Sequence, residues 1–272
     1  MNKVTSADGT PIAYERFGDG QPVIVVGGAT CDRAMTRTLA EELARHFAVI
    51  NYDRRGRGDS GDTAPYAVER EIEDLGALIA EAGGTASVYG HSSGAGLVLH
   101  AAARGLPIAK LVLHEPPFVP HGEEERRISR EYAEKLKAIL AEGRKGDALT
   151  LFITITGMPP ELVDQMRTEP WWAGMEANAH TLAYDSEIMG DSSRGGTIPA
   201  DLLGAVTVPA LVLCGGASPA WMIDMGRQVA DGLPHGRHSV LEGQEHVVPP
   251  EVLAPVLAEF FADSAITWRA GS

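Results

Sequence analysis

Cysteine is scarce. Cys31 and Cys214 are the two cysteines in 272 residues, too few for a disulfide framework. No apolar run approaches the length needed to cross a bilayer. Positive charge is in deficit, with 23 Lys and Arg against 37 Asp and Glu and a formal net charge of −14. A surface of that sign repels nucleic acid and anionic membranes, so neither is expected as a partner. The opening residues Met1 to Gly9 lack the apolar stretch of a signal peptide, and the expectation is a cytoplasmic protein. Asp, Glu and His do not cluster at metal-ligand spacing, and the glycine-rich pieces match no phosphate or dinucleotide fingerprint. No metal and no cofactor are expected. What remains is 44% hydrophobic and 22% charged, ordinary for a soluble globular chain long enough for one α/β domain with an insertion.

Strand-like and helical runs alternate. Ile12 to Phe17, Pro22 to Val26, Phe47 to Tyr52, Ala86 to Tyr89, Ile108 to His114, Pro209 to Cys214 and His238 to Leu241 read as strands. Helical spacing fills most of the gaps, at Thr36 to Arg45, Val68 to Ala82, Gly94 to Arg104 and Ala220 to Asp231, and Glu251 to Ala262 closes the chain. Such alternation predicts an α/β fold, a mostly parallel sheet with helices on both faces. The rhythm breaks from about Phe118 to Val206. There Arg126 to Glu142, Pro160 to Met166 and Trp171 to Met189 read as helices, and Leu149 to Thr156 as a short apolar run. The expectation is a core of residues 1–117 and 207–272 with an inserted helical lid, or cap, over 118–206.

The stretch Ser87-Val88-Tyr89-Gly90-His91-Ser92-Ser93-Gly94-Ala95-Gly96 carries the most chemical information. A strand ends in G-x-S-x-G and a helix follows at once, which places Ser92 at the apex of a tight, strained turn. Small residues are needed on either side of that apex. Gly90 and Gly94 supply them, and Gly96 adds further clearance. The Ser92 hydroxyl then stands above the sheet at the positive end of a helix. A free hydroxyl is a poor nucleophile at neutral pH, so Ser92 needs a base.

Taken together, Val23 to Gly28, Tyr52-Asp53-Arg54-Arg55-Gly56-Arg57-Gly58-Asp59-Ser60, the Ser92 turn and Gly243-Gln244-Glu245-His246 resemble the α/β-hydrolase superfamily over essentially the full length. That resemblance implies an eight-stranded sheet, a cap domain, and a serine nucleophile with a histidine base. Of nine histidines, His246 stands where the family's base stands, on a loop after the last predicted strand. His91 adjoins Ser92 and reads as a packing or hydrogen-bonding residue of the turn. The Ser93 backbone N–H should be one oxyanion donor, and the second should come from Ala29 or Gly28. Many relatives carry an aspartate after the strand Leu211 to Cys214, but this chain has Ser218 at that place. Some relatives put the acid at the end of the preceding core strand, which makes Glu115 the leading triad acid and Asp224 the second choice. Arg54 or Arg55 would pair with a carboxylate. Epoxide hydrolases and dehalogenases resemble the fold but use aspartate where this chain has Ser92.

Trp171, Trp172, Met175, His180 and Tyr184 are concentrated in the lid. They would pack the lid onto the core, or line an apolar substrate pocket. The whole predicts a serine hydrolase cleaving an ester, lactone or thioester of a small, largely apolar molecule. A C–C bond hydrolase or a cofactor-free perhydrolase would use the same constellation. A non-catalytic ligand-binding homologue is the reading that the missing aspartate at Ser218 would favour.

Overall fold

Eight strands form one sheet in the structure, a computed structural model that describes residues 1–263. The strands are β1 (Asn2–Thr5), β2 (Pro11–Phe17), β3 (Pro22–Val26), β4 (Ala48–Tyr52), β5 (Ala86–His91), β6 (Ile108–His114), β7 (Ala210–Gly215) and β8 (Gly236–Leu241). Their order is β1-β2-β4-β3-β5-β6-β7-β8. Only β2 runs against its neighbours, and the pairings from β4 through β8 are parallel. The predicted architecture is present. The sequence pattern passes over β1, because Val4 is its one apolar residue and the strand lies exposed at the sheet edge.

The parallel strands are buried on both faces, so their side chains divide with a period of two. Ile24, Val26, Ile50, Val88, Leu111 and Val212 face one core, which α2 (Val68–Glu81), α3 (Ser93–Ala103) and α11 (Ala220–Gly232) cover. Val23, Val25, Val49, Tyr89, Val112 and Leu213 face the other, under α1 (Arg33–Leu43) and α12 (Pro250–Ala262). Strand order reverses between β3 and β5, so the loops after them part to opposite sides and leave a crevice at the strands' carboxyl ends.

Between β6 and β7 the chain is helical: α4 (Glu123–Ala141), α5 (Lys145–Ile155), α6 (Pro160–Met166), α7 (Trp172–Ala177), α8 (Leu182–Met189), α9 (Asp191–Arg194) and α10 (Ala200–Ala205). The apolar run at Leu149 is part of α5. The single helix expected over Trp171 to Met189 is broken by a 3₁₀ turn at Ala179–Thr181. Asn178 causes the break. Its carbonyl accepts from both the N–H and the hydroxyl of Thr181, and its side-chain amide is drawn to the Thr30 carbonyl. Val119 and Thr197 bridge in parallel and tie the two ends of the segment together. Its helices enclose a third apolar cluster around Leu136, Leu149, Val163, Trp172 and Leu182. Helix α8 lies against α3, where a Cβ added to Gly96 would stand 2.7 Å from Met189 Sδ.

Candidate active site

Ser92 sits between β5 and α3 with φ 55° and ψ −124°, a conformation few non-glycine residues adopt. The turn is tight enough to exclude side chains around it. A Cβ at Gly90 would lie 2.6 Å from Gly94 O, and one at Gly94 would lie 2.6 Å from Gly27 O. A Cβ at Gly28 would lie 3.0 Å from that of Ser92, so the loop after β3 passes directly over the Ser92 turn. Among the described residues Ser92 Oγ has no hydrogen-bond partner. Such contacts commonly close only when substrate binds.

Glu115 follows β6 immediately, also at positive φ (46°), and is completely buried. One carboxylate oxygen, Oε1, accepts from Gly215 N–H at 2.7 Å and from Ser218 Oγ at 2.6 Å. The other, Oε2, accepts from His246 Nδ1 in a short contact. Burial alone would raise the Glu115 pKa, but the hydrogen bonds from His246, Ser218 and Gly215 outweigh it and hold the carboxyl below the ordinary value. With Nδ1–H committed to Glu115, His246 keeps the Nε2 lone pair free to accept a proton. Its side chain is 39% exposed, unlike the buried acid behind it. Asp224 lies on the surface of α11 and pairs with Arg227 at 2.7 Å.

Two more histidine rings line up with that of His246. His91 stands between His246 (centroids 4.6 Å apart) and His114 (4.8 Å), and Tyr89 Oη meets His114 Nδ1 at 2.7 Å. His91 Nε2–H donates to the His246 carbonyl at 2.9 Å, which anchors the loop after β8. Burial, followed by the neighbouring His246, pushes the His91 pKa down to about 4, so this ring stays neutral. The His114 pKa is also held well below its ordinary value, by burial and then by His91 and His246.

The Ser93 N–H opens α3, where it has no intrahelical acceptor. The Ala29 N–H likewise has no acceptor among the described residues. Ala29 packs against the apolar cluster of the helical segment, as do half-buried Tyr132, Phe152, Met158 and Met175. Trp172 is buried in that cluster and donates from Nε1 to Glu176 at 3.0 Å, while Trp171 is exposed. Tyr184 stacks on Tyr66 with centroids 3.9 Å apart, and its hydroxyl donates to Asp62 at 2.8 Å. His180 faces the same Asp62 at 3.7 Å. No described hydrogen bond or ring contact joins these four residues to Ser92, Glu115 or His246.

Arg54 and Arg55 are both buried in ion pairs, Arg54 with Glu71 and Asp185, Arg55 with Asp74 and Asp8. Sequence reading missed two members of the network on Ser93. Asp185 on α8 accepts from Ser93 Oγ at 2.7 Å, and Arg57 joins the same carboxylate. A charged residue within a helix carries no local sign that it will be buried.

Residues 23–254 match the model of the alpha/beta hydrolase family. The chain belongs to that family. An alpha/beta hydrolase of Sphaerobacter thermophilus is 55% identical in sequence and superposes with a TM-score of 0.87, over 96% of this chain and all of that one. A thermophilic esterase of Thermogutta terrifontis, solved with malate bound, is 27% identical with a TM-score of 0.70, over 96% and 97% of the two chains. A curated relative, the (E)-2-((N-methylformamido)methylene)succinate hydrolase of Acinetobacter baylyi, is 25% identical over 86% of this chain and 87% of its own. This alpha/beta hydrolase is therefore an enzyme of the hydrolase type.

Proposed function

We propose that this hydrolase opens an ester, lactone or thioester of a small, largely apolar molecule through an acyl-enzyme on Ser92. The observation that carries the reading is the buried Glu115 carboxylate on His246 Nδ1, at the sheet end where the strained turn presents Ser92. His246 Nε2 takes the Ser92 proton as Oγ attacks the carbonyl carbon, and Glu115 stabilises the imidazolium that results. The Ser93 and Ala29 N–H groups meet the oxyanion. Collapse of the tetrahedral intermediate breaks the acyl bond, and His246 returns the proton to the leaving group. Water, deprotonated by the same histidine, then releases the acid and restores Ser92.

The apolar cluster against Ala29 supports an apolar acyl or alcohol part, with the helical segment acting as the cap that selects it. The unpaired Cys31 and Cys214 fit a reducing compartment, and the reading places the enzyme in the cytoplasm, acting on a small molecule without nucleic acid or membrane. No helix among the described residues is long and apolar enough to cross a membrane. Cleavage of an activated amide is a second reading, favoured by the substrate in the name of the Acinetobacter relative; a C–C hydrolase or perhydrolase would use the same groups.

Labelling with a fluorophosphonate probe tests the nucleophile. Wild-type protein should be labelled on Ser92 and Ser92→Ala should not, whereas absence of a Ser92 adduct would leave a ligand-binding protein. A panel of acyl esters, lactones and N-formyl amides then ranks the bond types by kcat/KM.

A further inference from the structure

Residues 27 to 31 form the loop between β3 and α1, and every carbonyl in it accepts a hydrogen bond from a side chain. Arg54 Nη1 reaches Gly27 O at 3.4 Å, and Arg57 Nη1 reaches Gly28 O at 2.5 Å and Cys31 O at 3.3 Å. Thr30 Oγ1 donates to Ala29 O at 2.7 Å, and Asn178 Nδ2 to Thr30 O at 3.1 Å. A peptide unit is planar and trans, so a carbonyl held on one side aims the following N–H the opposite way. The Gly28 carbonyl and the Ala29 N–H share one such unit. Arg57 therefore turns the Ala29 N–H away from itself. A cation on the carbonyl also polarises the amide and makes that N–H a stronger donor.

Asp185 links this loop to the other donor. Its Oδ1 accepts from Arg54 Nη1 at 2.8 Å, Arg57 Nη2 at 2.9 Å and Ser93 Oγ at 2.7 Å, and its Oδ2 from Arg57 Nη2 at 3.0 Å. Arg54 is held from its other side by both oxygens of Glu71, so two guanidiniums face two carboxylates with all four side chains buried. Burial would raise the Asp185 pKa, but Arg57, Arg54 and the Ser93 hydroxyl outweigh it and keep the group ionised. A paired and fully hydrogen-bonded network of this kind is rigid, and removing one member leaves an uncompensated charge.

We propose that Arg57 and Asp185 are positioning residues for the oxyanion hole. Arg57 orients the Gly28–Ala29 peptide, Asp185 holds Ser93, and helix α8 thereby becomes part of the catalytic geometry. The proposal rests on Ser92 being the nucleophile. A brace that merely fastens α8 to the core would affect stability and leave the chemistry of folded protein unchanged.

The test uses the full chain, with p-nitrophenyl acetate as substrate and phenylboronic acid as the probe of the tetrahedral state. Boron accepts the Ser92 oxygen, the hydroxyl proton passes to His246, and the resulting boronate places an oxygen where the oxyanion would form. Arg57→Lys keeps a cation but cannot hold Gly28 O and Asp185 together, and should lower kcat about 30- to 100-fold with KM changed less than about threefold. Asp185→Asn should do much the same. Ser93→Ala, which keeps the backbone N–H and buries no charge, should lower kcat about three- to tenfold. In each variant the phenylboronic acid affinity should fall in step with kcat. If Arg57→Lys or Asp185→Asn fails to give a native circular dichroism spectrum, Ser93→Ala decides alone. Folded variants with kcat and boronate affinity within twofold of wild type, or with a rise in KM alone, overturn the proposal. Ser92→Ala separates the two levels: if it stays active, the nucleophile assignment and this proposal fall together, and if it is inactive, only the positioning role is at stake.

Discussion

Glu115 and Asp185 are two buried carboxylates flanking the same turn, and each accepts a hydrogen bond from a serine, Ser218 in one case and Ser93 in the other. Their remaining partners differ. Asp185 faces two buried guanidiniums that bind its carboxylate together, so its surroundings form a fixed brace. Glu115 faces the His246 imidazole, a group able to take up and pass on a proton, so in the proposed reaction the same kind of buried acid becomes one end of a proton relay. The His246 ring is also partly open to solvent, whereas both arginines are buried. Burial supplies rigidity in both places. The partner, a pair of buried guanidiniums or a half-open imidazole, sets the part each acid plays.

Removing the proposed nucleophile should give the largest effect and leave both networks standing. Ser92→Ala is expected to lower kcat by about four to six orders of magnitude, with an unfolding midpoint close to wild type in a thermal melt. Activity near wild type would end the serine-hydrolase reading. Next, Glu115→Gln keeps the shape of the acid and removes its charge, and should cost about two to four orders in kcat. Asp224→Asn, on the exposed face of α11, should stay within about twofold under the same assay, and the reverse ranking would move the triad acid.

Stability should invert that order of the two buried acids. Asp185→Asn strands two buried guanidiniums against one remaining carboxylate and should cost about 3–5 kcal/mol in urea unfolding. Glu115→Gln, which strands no guanidinium, should cost less than about 2 kcal/mol. Equal costs would erase the distinction between brace and relay.

The aromatic pair in the helical segment sharpens the comparison at smaller scale. Trp171→Ala removes an exposed ring and should shift KM and substrate preference by about two- to fivefold with little change in stability. Trp172→Ala opens the buried cluster and should lower stability by about 3–5 kcal/mol. If neither changes KM for any substrate in the panel, both rings serve packing alone.

Acid should act on the histidine column before it reaches the carboxylates. His91 has an ordinary pKa of 6.5 and a folded value of about 4, so between those limits the unfolded chain binds more protons. Stability from this group is complete above about pH 6.5 and is lost as pH falls toward 4. Glu115 and Asp185 have lowered values, so their contributions persist until pH drops below the ordinary carboxylate range. Urea midpoints measured from pH 7 down to 4.5 should therefore slope downward, and His91→Gln should flatten the slope by up to one proton's worth. An unchanged slope in that variant would assign the titration to His114.

The alternation that built the sheet was legible because period-two burial is written into neighbouring residues such as Val23 to Val26 and Leu111 to Leu113. β1 was not, since a short edge strand with one apolar residue has no pattern to show. The Ser92 turn could be read from its glycines, whose positions follow from steric contacts a few residues apart. Ser218 read as a lost acid, and the structure gives it a different part, a hydroxyl that fixes Glu115.

The amino-acid sequence by itself determined the parallel α/β order and the strained serine turn, because each depends on local sterics and short-range periodicity, while the loop histidine was marked by its resemblance to a known family. Tertiary structure decided the rest. Glu115 meets His246 across 131 positions of chain, and Ser93 meets Asp185 across 92. Which acid touched the imidazole, and which helix gripped the nucleophile turn, were fixed only when the strand ends converged and α8 packed on α3. Buried charges select their partners by proximity and desolvation, and neither exists until the chain has folded.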